Sequence, residues 1–434
     1  MAANSPSLRV AILGAGTVGS QVIRLLSEQA DDYAGRIGGH LEISAVVVRD
    51  VTAPRDTEID PALLTTDAEA AIAGADLVIE LIGGIEPART FVLSALNQGK
   101  TVVTGNKALL AAHGPELYEA AAESNADLYY EAAVAGAIPV VYGLRESLAG
   151  DKISQVLGIV NGTTNFILDS MASSGASYEE ALAEAQRLGF AEADPTADVE
   201  GLDAAAKCAI LASLAFHTRV SIDDVAVEGI TGITADDIAQ AQSSGQTIKL
   251  LAIAERKTGP DGKEGVSVRV HPALVPVSHP LSTVSGAFNA VVVEGEAAGR
   301  LMFYGQGAGG APTASAVLSD LVAAASHRLH GGHAPRELVY ADLPILPAEA
   351  AETEYQIRLQ VEDSIGVLAE VARLFADRGV SIRSVDQVGG HDGASSLVIA
   401  THRAPESAQQ AVVKALAESS AVRGVSSILR REGA

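Results

Sequence analysis

Residues 8–19 constrain this chain more than any other stretch. Leu8-Arg-Val-Ala-Ile-Leu13 is a short apolar run that passes directly into Gly14-Ala-Gly16-Thr17-Val18-Gly19, and the residues from Ser20 to Ala30 contain no Gly or Pro. That order reads as a strand, a tight turn and a helix. Glycines at these three positions let the backbone turn sharply and approach a ligand at a helix N-terminus, where unpaired N–H groups favour an anion. The pattern predicts a dinucleotide pyrophosphate held at Gly14, Gly16, Thr17, Val18 and Gly19. A glycine-rich turn without a ligand is the plainer alternative. A second apolar run, Leu41 to Val48, ends at Arg49-Asp50. A cation there suits the 2′-phosphate of NADP, whereas an acid suits the ribose hydroxyl of NAD. Arg49 therefore favours NADP(H), with NAD(H) also usable, and Asp50 pulls the other way. The Gly14 to Arg49 interval exceeds the roughly 20 residues of the fingerprint, so an extended helix or loop is expected around Asp31 to His40.

Strand-like and helix-like runs keep alternating: Ala75 to Leu81, Thr90 to Gln98, Thr101 to Thr104, His113 to Ser124 and Leu128 to Tyr130. Such alternation predicts an α/β fold with a parallel sheet, here a Rossmann-like dinucleotide-binding domain over residues 1–150. Ligands gather outside the carboxyl ends of parallel strands, where Glu80-Leu-Ile-Gly83-Gly84 and Thr104-Gly-Asn-Lys107 fall. A second, α+β domain is expected from Asp151 to about Pro335. Its strands, Ile153 to Val160, Lys249 to Ala254, Val266 to His271 and Ala290 to Glu294, form a sheet that could carry self-association. The polar turn Asn161-Gly162-Thr163-Thr-Asn165 opens a helix, a place to receive a carboxylate on backbone N–H groups.

The densest chemistry lies between Gly189 and Cys208, which hold five carboxylates and one lysine. Pro195 and Gly201 break the acidic part into a loop, and an alanine-rich helix is expected from Leu202. Asp203 and Lys207 are four apart, so they share one helical face. Lys207 stands among apolar neighbours and needs a partner, which Asp203 can be. Glu192, Asp194, Asp198 and Glu200 offer negative charge to a cationic group such as an ammonium. A solvated acidic loop capping an ordinary helix would use the same residues.

The stretch Gly-Phe-Ala-Glu192-Ala-Asp-Pro, followed by Asp198, Gly-Leu-Asp203 and Lys207, resembles the substrate-binding signature of homoserine dehydrogenases. Thr-Gly-Asn-Lys107 and the Asn161 to Asn165 turn match the same family. The resemblance implies reduction of L-aspartate 4-semialdehyde to L-homoserine, a small-molecule substrate, with Lys207 and Lys107 as candidate proton donors and Asp203 orienting Lys207. It further implies that Glu192 and Asp198 hold the substrate ammonium, with Gly162 and Thr163 beside its carboxylate. Gly83 and Lys107 would face the cofactor. The glycine-rich Gly305-Gln-Gly307-Ala-Gly-Gly310 resembles the family's returning segment, about residues 305–335, which packs back on the cofactor domain. A plain connecting turn is the alternative. In the family, a Glu-Ala-x-Val segment binds a structural monovalent cation, sodium, and by position Glu131, Val134, Gly136 and Ile138 would supply its oxygens.

Pro335, Pro344 and Pro347 mark a linker over residues 336–352. Beyond it, Tyr355, Ile357, Leu359 and Val361 alternate strictly with polar residues, the mark of a half-buried strand. Asp363-Ser-Ile-Gly366 turns into a helix from Val367, and further strands and a helix complete a βαββαβ module over residues 353–434. It resembles an ACT domain, a small module that binds amino acids, which implies an effector at Asp363, Gly366 and Val367, with L-threonine expected. An oligomerisation module without a ligand is the alternative. A tethered module with its own strands is expected to fold separately.

Composition narrows the classes. The formal charge of −24 disfavours nucleic acid, and no apolar run approaches the roughly 20 residues of a membrane span. With no basic, apolar leader at Met1-Ala-Ala-Asn, a soluble cytoplasmic protein is expected, as a homodimer or homotetramer. The single cysteine, Cys208, excludes an internal disulfide and sits among helix-core residues, misplaced for the nucleophile of a phosphorylating semialdehyde dehydrogenase. His327, His330 and His333 are spaced by three, but Gly331-Gly332 ends the helix before the third, so a metal there is not expected. The remaining rival is a non-catalytic amino-acid sensor on a dehydrogenase fold.

Overall fold

In the computed structural model, which describes residues 6–55, 57–259, 262–335, 339–362, 364–389 and 394–433, β1 (Ser7–Leu13) is the central strand of the first sheet. Its side chains alternate, Val10 and Ile12 towards one helical layer and Ala11 and Leu13 towards the other, and all four are sealed from solvent. The chain continues through α1 (Thr17–Glu28), α2 (Ala30–Ile37), β2 (His40–Val47), β3 (Leu64–Thr65), α3 (Ala68–Gly74), β4 (Leu77–Glu80), α4 (Ala88–Asn97), β5 (Thr101–Thr104), α5 (Lys107–Glu123) and β6 (Leu128–Tyr129). All pairings are parallel, in the order β3-β2-β1-β4-β5-β6, so the topology switches direction between β1 and β4. Crevices for ligands form at such a switch. The long interval before Arg49 is filled by α2, which ends at the left-handed Gly38.

Next come α6 (Val140–Tyr142), β7 (Ile153–Ile159), α7 (Gly162–Ser174), α8 (Tyr178–Arg187), α9 (Thr196–Val199), α10 (Leu202–Phe216), β8 (Ala226–Val227), α11 (Ala235–Ser243), β9 (Gln246–Thr258), β10 (Glu264–Pro276), β11 (Phe288–Gly295) and β12 (Gly299–Gln306). Strands β12-β11-β7-β9-β10 lie antiparallel in that order. Helix α10 is buried almost all round, which accounts for its alanine-rich, weakly amphipathic sequence: it is a core helix, not a surface one. Then α12 (Gly310–His330) returns to the first sheet, where Ala314, Val317 and Leu321 pack with Val22, Ile23 and Ile37 over Val10 and Ile12.

The C-terminal part runs β13 (Glu352–Glu362), α13 (Val367–Ala376), β14 (Ile382–Gly389), β15 (Ala394–Thr401), β16 (Ala404–Pro405), α14 (Glu406–Glu418) and β17 (Val422–Arg431), the βαββαβ order with one short extra strand. It has its own core around Ile357, Leu359, Phe375, Ile399 and Leu416. Each such fully buried side chain contributes roughly 1.5–3 kcal/mol. The module nevertheless does not hang from a free tether. β17 pairs in parallel with β10, Ala273 beside Arg430 and Leu274 beside Arg431, so the two sheets fuse into one of eleven strands among the described residues. The proline-rich segment is itself held along β10, Val266 N–H donating to Pro344 (2.9 Å) and Leu346 N–H to Val266 (2.8 Å). An open strand edge invites pairing, and β17 and this segment satisfy that of β10. No helix among the described residues is long and apolar enough to cross a membrane.

Candidate active site

Two helices from different sheets bring the two lysines together. Gly201, at φ 82°, makes the left-handed turn that starts α10, and Asp203 stands in the first turn, where the helix dipole favours an anion. One turn on, the Lys207 ammonium donates to Asp203 Oδ2 at 2.8 Å and to the Val160 carbonyl at 2.7 Å. An ammonium has three N–H groups, so one is left for a ligand. Lys107 is the first residue of α5, whose N-terminus is capped by the Asn106 side chain accepting from Leu109 N–H. A cation at a helix N-terminus opposes the dipole, and Lys107 is compensated by an ion pair with the other oxygen of Asp203. Burial pushes the Asp203 carboxyl up, but the charges of Lys207 and Lys107 outweigh it and hold the group well below the usual carboxylate range.

Asn161 ties the acidic loop to this cluster. Its Nδ2 donates to Asp198 Oδ1 (2.7 Å) and Asp203 Oδ2 (2.9 Å), and its Oδ1 accepts from Thr164 N–H (2.8 Å), capping α7. With Asn161 spent on the cap, the N–H groups of Gly162 and Thr163 have no intrahelical acceptor and can meet an anion; the Thr163 hydroxyl is taken by the Phe190 carbonyl (2.6 Å). These groups line a cavity of about 680 Å³ with Lys107 and Lys207 at one end and Gly162, Asp198 and Phe190 along its walls. Glu192 is exposed and does not line it.

A second recess of about 280 Å³ adjoins the first, lined by Gly83, Asn106, Gly136 and Thr313. Lys107, Lys207 and Gly307 line both. Glu80 fixes its floor, accepting from Thr104 Oγ1 (2.7 Å) and Ile82 N–H (2.8 Å). At the fingerprint turn, a side chain at Gly14 would run into the Leu81 carbonyl and one at Gly19 into that of Gly14, while Gly16 faces open space. Neither α1 nor α12 carries a side-chain cap, and Gly310 packs on Thr17, so two uncapped helix N-termini stand side by side. That is a cradle a dinucleotide pyrophosphate fits. Arg49 is exposed, and no ion pair holds it among the described residues; Asp50 is turned into its own turn, accepting from Thr52 N–H (2.8 Å) and Oγ1 (2.7 Å).

The segment of Glu131, Val134, Gly136 and Ile138 lies behind this recess. Its one carboxylate is already used, Glu131 accepting from Val141 N–H (3.0 Å) and Tyr142 N–H (2.8 Å), and burial pushes that carboxyl up to about 7. Carbonyl oxygens remain, with spare lone pairs even on Glu131 and Ile138, which accept from Val134 and Val140. Such a set fits a hard monovalent cation. The three histidines are spread over separate partners: His327 with the Tyr129 hydroxyl, His330 with the Ile37 carbonyl and His333 with Asp127. Cys208 is buried and its thiol is pushed up to about 12 by burial, which leaves it inert. In the C-terminal module, Gly366 (φ 97°) is the uncapped N-cap of α13, Val367 begins that helix, and Asp363 lies outside the described residues.

The sequence alone did not mark Asn161 as a bridge, Glu80 as an anchor, or the loop from Gly286 to Phe288 as a wall of the larger cavity. A polar residue just before a helix was the available signal for Asn161, and a Ser-Gly turn ahead of an apolar strand that for Gly286.

Comparison with known proteins agrees with this geometry. Residues 139–322 match the model of the homoserine dehydrogenase family, residues 14–131 that of the homoserine dehydrogenase NAD-binding domain, and residues 355–420 that of the ACT domain. The homoserine dehydrogenase of Corynebacterium glutamicum is 57% identical over 425 residues, covering 98% of this chain and 95% of the relative. The crystal structure of a homoserine dehydrogenase from Thiobacillus denitrificans superposes with a TM-score of 0.89 at 39% identity, covering 98% of each chain. A hyperthermophilic archaeal homoserine dehydrogenase in complex with NADPH superposes with a TM-score of 0.61 at 26% identity, covering 74% of this chain and 98% of that one. A fingerprint turn, a lysine pair around one buried carboxylate and near-complete coverage at this identity lead to one conclusion: the chain belongs to the homoserine dehydrogenase family.

Proposed function

We propose that the chain reduces L-aspartate 4-semialdehyde to L-homoserine with NADPH in preference to NADH, in the cytoplasmic biosynthesis of threonine, methionine and isoleucine. The observation that carries this reading is that Lys107, Lys207 and Gly307 line both the glycine-rich recess and the acidic cavity. Bound nicotinamide supplies the hydride. Reduction places negative charge on the aldehyde oxygen, and an ammonium beside it stabilises that charge and gives up a proton. Lys207 is the donor of choice because Asp203 and Val160 fix it, and Lys107 assists from the other side of Asp203. Asp198 meets the substrate ammonium inside the cavity, Glu192 adds negative charge from the exposed loop beyond Phe190, and Gly162 and Thr163 hold its carboxylate.

Support for NADPH comes from the unpaired Arg49 and the self-occupied Asp50, and from the archaeal relative solved with NADPH. Sodium would sit on the oxygens of Glu131, Val134, Gly136 and Ile138, stiffening the back of the recess. The division we favour is a cofactor domain over 1–150 with the returning segment 305–335, a substrate and dimerisation domain over 151–335, a connecting segment 336–352 and a regulatory module over 353–434. L-Threonine would bind that module with its carboxylate at the uncapped N-terminus of α13, on the N–H groups of Gly366 and Val367; Asp363, the other effector residue expected, lies outside the described residues. The working unit is a homodimer or homotetramer. The test is the fall in NADPH absorbance on adding the semialdehyde, which should be rapid and much slower with NADH; a protein that binds amino acids but oxidises neither cofactor is a sensor, and the dehydrogenase reading fails.

A further inference from the structure

Asn289 on β11 is sealed from solvent, and neither Nδ2 nor Oδ1 has a hydrogen-bond partner among the described residues. An amide shut away from water with both groups unpaired is costly, and native interiors rarely keep one. An apolar side chain of the same size would fill the space without that cost. The contrast with Asn165, one turn of α7 beyond Gly162, is direct. That buried amide donates to the Val284 (3.2 Å) and Gly286 (2.8 Å) carbonyls and accepts from the buried Lys249 (3.1 Å).

What surrounds Asn289 is the active site. Its amide lies against Gly307, where any side chain would collide with both amide atoms, and a Cβ at Gly162 would come within 3.5 Å of Oδ1. Gly307 lines both recesses, and Gly162 opens α7, so the Gly162 N–H has no intrahelical acceptor. A buried acceptor and donor thus stand between two glycine turns, one on the cofactor side and one on the substrate side. Because neither turn carries a side chain there, only backbone groups can meet the amide.

We propose that Asn289 is a positioning residue whose amide takes up hydrogen bonds with the backbone of the Gly162 and Gly307 turns when cofactor and substrate draw those turns into their working places. It then passes the filling of one recess to the geometry of the other. This rests on the dehydrogenase reading above.

The experiment compares the full-length protein with Asn289→Leu, which keeps the branched shape and removes the polar groups. Thermal midpoints are measured with and without NADPH, alongside steady-state kinetics. The expected result is an unliganded midpoint equal to or above that of the wild type, an NADPH-induced rise cut by at least about half, and kcat lowered about tenfold or more with KM for NADPH raised, as misplaced reacting groups require. If the variant loses as much stability without NADPH as with it, the amide is already satisfied and its role is structural, which overturns the proposal. Unchanged kinetics and an unchanged NADPH shift overturn it equally. Should the leucine variant not fold, Asn289→Ala is judged by its NADPH-induced rise and its kinetics alone, because the cavity it leaves lowers the unliganded midpoint whatever the amide does. A wild type that NADPH does not stabilise at all would instead sink the dehydrogenase reading, and this proposal with it.

Discussion

Asp203 and Arg269 stand in mirror-image surroundings. Asp203 is a buried anion between two cations, Lys107 and Lys207, and Arg269 is a buried cation between two anions, Glu255 (2.9 Å) and Glu432 (2.9 Å). Ionisation is displaced in both. Burial raises the Glu255 carboxyl, yet Arg269 and Lys257 outweigh it and hold it at about 2. Glu432, the more deeply shut in, is raised by burial in spite of Arg269. What differs is reach. The Lys107 side chain is 46% exposed and opens on the cavity, whereas Arg269, Glu255 and Glu432 are each closed to solvent where β17 joins β10. Displaced ionisation marks a buried charge; only access to a ligand makes it a candidate for chemistry.

The comparison can be broken from either side. Replacing Arg269 by Leu leaves Glu432 buried without its cation and Glu255 with Lys257 alone, which should cost about 3–5 kcal/mol. The midpoint of urea unfolding should fall accordingly, while kcat of the folded fraction stays near that of the wild type. A large loss of kcat at unchanged stability would mean that this cluster acts in catalysis. Lys207→Ala should do the reverse, lowering kcat about a hundredfold or more, the scale of a positioned acid, with little loss of stability because Lys107 still pairs Asp203. A kcat near normal in that variant would remove Lys207 from the mechanism.

Acid sharpens the contrast. A carboxyl whose folded value lies below its ordinary one stabilises the fold above the ordinary value and ceases to do so as pH falls through the folded value. For Glu255 that window runs from 4.5 down to about 2. Stability should therefore drop by roughly 3 kcal/mol across it, and Glu255→Gln should flatten that part of the stability curve; an equally steep curve would show that Glu255 is not the group responsible. Smaller effects are expected further out. Deleting the chain from Glu352 onwards takes away β17 and Glu432, so the thermal midpoint should fall, but NADPH-dependent turnover should persist and inhibition by threonine, a coupling of typically ~1–3 kcal/mol, should vanish. Continued inhibition would place the sensor elsewhere. Arg49→Ala should raise KM for NADPH by about tenfold and leave KM for NADH nearly unchanged, and equal effects on both would take Arg49 off the 2′-phosphate.

Much of this was written locally and could be read locally. The turn at Gly14, Gly16 and Gly19, the pairing of Asp203 with Lys207 one helical turn on, and the alternation from Tyr355 to Val361 depend on residues near one another in the chain. Helix α5 was legible only in part: the helix-like run from His113 to Ser124 covers its second half, but the helix begins at Lys107 and carries Pro115 inside it. The strand from Gly299 to Gln306 escaped because glycines at both ends and an exposed, alternating edge give a weak apolar signal. Least legible was the union of β10 with β17. Ala273 and Arg430 meet across most of the second half of the chain, and nothing in either segment names the other. The same holds for Asn161, whose type suggests a helix cap and whose link to Asp198 and Asp203 comes only from the fold.

The return of α12 to the first sheet has a consequence for a chain emerging from a ribosome. Between Tyr129, the end of β6, and Gly310, where α12 begins, lie about 180 residues. Translation at about 5–20 residues per second takes on the order of ten seconds or more to supply them. Throughout that time the face formed by Val10, Ile12, Ile23 and Ile37 waits without the cover that Val317 and Leu321 later provide. The cofactor domain is therefore begun before the second sheet and finished after it, and a nascent chain stalled within that sheet presents a sticky, half-clad surface of the kind that holdase chaperones bind.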